Sequence, residues 1–177
     1  LESLMSKILV AYFSRAGQNY VNHEIVELER GNTAVAAEKI AQKCGGDLFE
    51  IVPAKPYPDD YHETVEVSKQ ELADNARPEI VGASDEPAAG YDIVFVGYPN
   101  WCGTAPMPVF TFLDACNLDG KRVIPFCTNE GSALGTSVDD IRRACPTAKV
   151  GGGIALIGSE VANCDITIAT WLENVLK

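Results

Sequence analysis

Short apolar runs and longer stretches of helical periodicity alternate along the whole chain. Residues 7–13 form a continuous apolar run that ends at Ser14, and a helical pattern follows at 33–44, stopped by Gly45-Gly46. Residues 48–52 alternate as a more exposed strand, the proline-rich 53–58 ends it, and 60–76 carries a polar helical pattern. The same order repeats at 91–97 with 106–116, at 122–127 with 132–144, and at 148–157 with 165–176, where Gly151-Gly152-Gly153 loosens the last strand. Five strands, each followed by a helix, predict an α/β domain over 5–177. Its form is a three-layer α/β/α sandwich around a doubly wound parallel sheet, because parallel neighbours need right-handed crossovers and their helices cover both faces. Leu1 to Leu4, ahead of Met5, read as an expression remnant.

At 177 residues and 46% hydrophobic, the chain has material for one core of ordinary size. Its formal net charge of −11, with no basic run, argues against nucleic acid or an anionic membrane surface and leaves basic protein partners open. Cys44, Cys102, Cys116, Cys127, Cys145 and Cys164 are scattered without a CxxC or a Cys/His cluster. That spacing points to reduced, cytoplasmic thiols rather than a zinc site or a disulfide framework. No stretch approaches the roughly 20 apolar residues of a membrane-spanning helix. Neither His23 nor His62 stands at a metal or triad spacing, so no metal ligand and no catalytic side chain is assigned.

The loops after the first, third and fourth strands carry the candidate chemistry, since ligands of open α/β sheets bind at the carboxyl ends of strands. After the first strand come Ser14, Arg15, Ala16, Gly17 and Asn19, then an insertion over 18–30, then Gly31-Asn32-Thr33 at a helix start. Gly17 lets the backbone turn close to an anion, Asn32 or Thr33 caps the helix, and first-turn amides offer unpaired donors. An ordinary capped helix behind a polar loop is the competing reading. No Gly-Lys-Ser/Thr follows, which excludes a Walker A loop, and no carboxylate follows Phe13, which disfavours a phospho-accepting receiver domain. After the third strand, Pro99, Asn100, Trp101, Cys102 and Gly103 form an aromatic, glycine-punctuated loop in which Trp101 offers a large face to a flat ring. After the fourth, Thr128, Asn129, Glu130 and Gly131 supply hydroxyl, amide and backbone groups for a polar ring edge, with Ser132 as helix cap in the plainer reading. The tyrosines of Pro56-Tyr57-Pro58-Asp59-Asp60-Tyr61 have two readings, as a border of the ligand cleft or as packing of a proline-ordered loop, and packing is the favoured one.

Taken together, Ile8 to Gly17, Gly31-Asn32-Thr33 and the loop from Trp101 to Pro108 resemble the flavodoxin-like family, in the branch whose tryptophan loop reads W-x-G-T-x-P. The resemblance covers essentially the whole chain. It implies the strand order 2-1-3-4-5 and a noncovalent FMN. The phosphate would be held by Ser14, Ala16, Gly17, Asn32 and Thr33, with Arg15 and Asn19 nearby, and the ring would lie between the third and fourth loops. It further implies that a Gly103 peptide flips its carbonyl toward the reactive N5 of the ring and that Glu130 lies near N1. The insertion departs from the family's uninterrupted phosphate loop and is expected to loop out while the two halves still meet. Three functions follow as alternatives: an electron carrier docking basic redox partners, an NAD(P)H-dependent quinone or FMN reductase, and a binding domain without flavin.

Overall fold

The first apolar run becomes an inner strand of a parallel sheet, as its burial on both faces requires. The computed structural model describes residues 6–177; the reading of 1–4 as a remnant lies outside the described residues. In chain order the strands are β1 (Ile8–Tyr12), β2 (Gly17–Val21), β3 (Glu24–Leu28), β4 (Asp47–Glu50), β5 (Ile93–Pro99), β6 (Arg122–Asn129), β7 (Lys149–Val150) and β8 (Ile154–Ile157). The helices are α1 (Asn32–Cys44), α2 (Tyr61–Ala73), α3 (Met107–Ala115), α4 (Ser137–Ala144) and α5 (Asp165–Val175).

The sheet runs β4-β1-β5-β6-β7, all parallel, and β8 continues on β6 beyond β7. This is the 2-1-3-4-5 order, with the fifth position split into two short pieces. Gly151, Gly152 and Gly153 interrupt the expected single strand, because glycine contributes no side chain to pack there. Alternate residues of the central strands feed two cores. Leu9, Ala11, Val94 and Val96 pack on the α3 side with Phe112 and Ile141. Val10, Phe95 and Ile124 pack on the other with α1 and α5, where Ala36, Ala37 and Ile40 are fully buried. The small alanine face seats α1 close against the sheet.

The insertion loops out as a hairpin: β2 and β3 pair antiparallel as a separate two-stranded sheet, with Val21 opposite Glu24. Asn22 and His23 form its two-residue turn with φ of 51° and 71°, the left-handed conformations that match strand twist. The fourth helix begins at Ser137 rather than 132, and Thr136 is its N-cap without a side-chain hydrogen bond. Asn129 Oδ1 accepts the Gly131 and Ala133 N–H groups at 2.8 and 3.0 Å, which bends this stretch away from helix.

Gly97 of β5 stands opposite Phe126 of β6, and a Cβ built on it would run into the Phe126 ring, which is fully buried. Gly97→Ala is therefore expected to cost about 1–3 kcal/mol by overpacking. Urea denaturation measures this, and a midpoint equal to wild type would refute the close approach.

Candidate functional site

The two halves of the split first loop meet although the hairpin separates them. The Ala34 N–H donates to Ser14 Oγ at 3.0 Å, and a Cβ on Gly31 would collide with that same oxygen. Gly31 is the N-cap of α1, extended at φ −65° and ψ 149°, and offers no side-chain acceptor. The cap is thus supplied by Ser14 from the preceding strand end, and neither Asn32 nor Thr33 supplies it as expected. Both lie in the first turn, where backbone amides have no partner within the helix and face the positive end of its dipole. Thr33 Oγ1 and Thr128 Oγ1 are 2.7 Å apart, which ties α1 to the end of β6.

Trp101 is held by perpendicular packing. Its ring meets Phe13 at 5.1 Å and 83°, and Tyr57 at 5.0 Å and 89°. The Trp101 N–H donates to the Thr104 carbonyl and the Thr104 N–H to the Trp101 carbonyl, a tight turn that needs positive φ at Cys102 (55°) and Gly103 (88°). Asn100 anchors this turn to the neighbouring loop. Its Nδ2 donates to the Ala133 carbonyl at 2.9 Å, while its Oδ1 accepts the Gly103 N–H at 3.0 Å. The Gly103 carbonyl accepts the Thr136 N–H at 2.8 Å. Both polar groups of Gly103 are therefore engaged in this conformation.

In the fourth loop Asn129 also shapes the backbone, its Nδ2 donating to the Leu156 carbonyl at 3.1 Å. Glu130 Oε1 accepts the Ser159 N–H at 2.9 Å, so its carboxylate fastens the segment after β8. Arg15 is similarly engaged. Its Nε donates to the Gln18 carbonyl at 2.9 Å and its Nη2 to the Asp59 carbonyl at 2.8 Å. Burial lowers the Arg15 pKa, and the charges of Asp59 and Glu27 oppose that shift.

A cavity of about 470 Å3 opens at the carboxyl ends of β1, β5 and β6. Of the residues read from sequence, it brings together Arg15, Asn19, Asn32 and Thr33 with Pro99, Asn100, Trp101, Cys102, Thr128, Asn129 and Glu130. Ser14, Ala16 and Gly17 do not line it; they face a second cavity of about 540 Å3, which Arg15 and Trp101 also border. Gly103 and Gly131 line neither. Sequence reasoning missed Tyr20, Thr64, Val65 and Ser68 on the hairpin and α2, and Gly158 beside Glu130; Tyr61 and Ser132, for which packing and capping were the plainer readings, also line the cavity. Tyr61 closes the segment read as packing, so its aromatic, turn-flanked setting was the available signal. Tyr57 does pack, against Trp101 and Phe13. Cys102 is exposed, with its Sγ 3.3 Å from Ser68 Oγ, whereas burial pushes the Cys127 thiol up to about 12. Among the described residues, no helix is long and apolar enough to cross a membrane.

The family model described as Flavodoxin matches residues 7–175. A Bacteroides eggerthii protein provisionally called a flavoprotein is similar over 98% of this chain and 99% of its own, at 34% identity and a TM-score of 0.77. A counterpart from Bacteroides uniformis, also provisionally a flavoprotein, is 30% identical over 95% and 98% of the two chains, with a TM-score of 0.76. A Lactobacillus acidophilus flavoprotein solved in complex with FMN shares the fold at 23% identity, over 89% of this chain and 97% of that one, with a TM-score of 0.62. No curated protein matches the chain significantly.

Ser14 acts as a helix cap from outside the helix, so Ser14→Ala is expected to lower the stability of the ligand-free protein by about 1 kcal/mol. Chemical denaturation reads this directly, and no loss would show that the Ala34 amide does not depend on Ser14.

Proposed function

The chain belongs to the flavodoxin family, and on that premise we propose that it binds FMN noncovalently in the 470 Å3 cavity and serves as a redox protein. The observation that carries this reading is the convergence, in one cavity, of the free first-turn amides of α1, the Trp101 ring and the polar loop of Thr128 to Glu130. Gly31 supports this reading, because a Cβ there would collide with Ser14 Oγ and the Arg15 carbonyl, and its absence lets the end of β1 and the start of α1 lie side by side. In this reading the amides of Asn32 and Thr33 bind the phosphate while Arg15 stands near it as a cation. Trp101 covers the ring, and Thr128 with the backbone of its loop meets the polar edge.

When bound, FMN supplies one- and two-electron redox chemistry that no side chain here provides. The residues of this chain bind it, orient it and set its electrostatics. The Glu130 carboxylate, fixed by the Ser159 N–H, opposes negative charge that accumulates on the polar edge of the ring. A net charge of −11 favours docking to a basic redox partner, in a reducing, cytoplasmic setting. A reductase acting on a small acceptor is the second reading, favoured by the aromatic Tyr20 and Tyr61 wall of the same cavity. Uptake of FMN separates both from a flavin-free binding domain.

The purified protein is expected to take up one FMN per chain and show the two visible flavin bands, and Trp101→Ala should weaken binding about 2- to 12-fold. Equilibrium titration of flavin fluorescence measures both; a wild-type protein with no FMN affinity would overturn the proposal.

Glu130→Gln is expected to raise the potential of the second one-electron couple, where about 59 mV corresponds to a tenfold change. Anaerobic spectroelectrochemistry checks this, and an unchanged couple would confine Glu130 to its structural contact with Ser159.

A further inference from the structure

The cavity of about 540 Å3 that shares Arg15 and Trp101 with the first one has no part in the flavin reading. The end of β1 at Phe13 and Ser14 borders it, the hairpin base with Gly17 and Glu27 forms one wall, and the segment from Val52 to Asp59 forms the other. That second wall is held in place by its own backbone. Pro53, Pro56 and Pro58 have fixed φ, and the Ala54 N–H donates to the Glu79 carbonyl at 2.8 Å. Arg15 Nη2 donates to the Asp59 carbonyl at 2.8 Å, which ties the two walls together.

The lining is aromatic and acidic at once. The Phe13, Tyr57 and Trp101 rings stand mutually perpendicular, and since Phe13 is buried, Tyr57 and Trp101 supply the accessible ring surface. Glu27 Oε1 lies 3.8 Å from the place of a Gly17 Cβ, which puts its carboxylate over the hairpin base. Among the described residues, neither Glu27 nor Asp59 is in a salt bridge. Arg15 keeps its positive charge, because carbonyl partners do not neutralise it, and that charge interacts with both carboxylates. One cation against two carboxylates leaves the lining net negative, and Lys55 of the same segment borders neither cavity. A phosphate is therefore disfavoured here, in contrast to the first turn of α1. An ammonium group gains the carboxylates and the electron-rich ring faces, and an apolar body covers the prolines and Val52, which is 40% exposed.

We infer that this second cavity is a binding site for a small aromatic ammonium ion, an arylalkylamine in its protonated form. Its ring packs on Tyr57 and Trp101, and its ammonium group is drawn to Glu27 and Asp59. The inserted hairpin supplies Glu27, so the insertion brings half of the acidic lining to the site. The inference stands on this cavity alone and is independent of what fills the first.

The test titrates isotope-labelled protein at neutral pH with 2-phenylethylamine, its uncharged analogue 2-phenylethanol and the anion 3-phenylpropionate, followed by NMR. The amine is expected to give saturable shifts at the Gly17 amide and the Trp101 indole N–H, while the Trp171 indole, held by the Gly152 carbonyl in the opposite core, stays in place. It is expected to bind more tightly than the alcohol, and the anion most weakly. Glu27→Gln and Asp59→Asn change exposed side chains and keep the Asp59 carbonyl that Arg15 uses. Each is expected to weaken amine binding about 1.4- to 5-fold, the worth of an exposed ion pair. No saturable shift at Gly17, equal binding of amine and alcohol, or unchanged amine affinity in both variants would each overturn the inference. Amine binding is expected to persist when FMN is loaded; displacement by FMN would place the amine in the first cavity and overturn the inference while leaving the flavin reading intact. A protein that takes up no FMN would overturn the flavin reading alone, and the two variants would still decide this one.

Discussion

The close seat of Gly31 against Ser14 is the contact on which the site depends. Ser14 Oγ receives the Ala34 amide, and the place of a Gly31 Cβ is occupied by that same oxygen. Only a residue without a side chain lets the end of β1 and the start of α1 come this near. The alanine face of α1, with Ala36 and Ala37 fully buried, presses the helix onto the sheet and fixes where its first turn points. Everything between Gly17 and Gly31 must then leave and return at almost one point. A two-residue turn with paired strands meets that condition, because antiparallel pairing brings the ends of the segment together.

A second constraint follows from the first. The cavity needs walls that do not move relative to α1, and amide side chains supply them. Asn100 links the tryptophan turn to the fourth loop, and Asn129 links that loop to the backbone of β8. Thr33 and Thr128 close the ring of contacts back to α1. Several polar residues that look like ligand donors are thus engaged in holding backbone in place. Gly103 is hydrogen-bonded at both its N–H and its carbonyl, and the Trp101 ring packs edge-on against Phe13 and Tyr57.

Much of this was legible in the sequence. Alternating apolar runs and helical patterns located every strand of the central sheet and every helix, since each buried face leaves its own period. The three loops that border the two cavities were legible from their glycines, Trp101 and polar clusters. The hairpin was not, although Tyr20, Val21, Ile25 and Val26 flank Asn22-His23 with strand-forming residues, because Asn-His is a weaker turn signal than Asn-Gly. The cap on α1 was hidden for a different reason. Its donor and acceptor lie on either side of the insertion, and a contact across that gap leaves no local pattern. The α2 wall was hidden as well, because Thr64, Val65 and Ser68 belong to a polar helix whose cavity-facing side is set by packing alone.

The division of labour between the two kinds of wall explains why the insertion can stand where it does. The side at the start of α1 relies on backbone contacts and a glycine, so it tolerates no side chain at Gly31 and little displacement of α1. The hairpin side relies on stacked rings and a few hydrogen bonds to the α2 start, contacts that accept changes of residue and small shifts. A chain that extrudes extra residues at the loop joining these two sides keeps the strict half unchanged and alters the permissive half. The hairpin can therefore vary at Tyr20 and Tyr61 without disturbing the junction of Ser14 with α1.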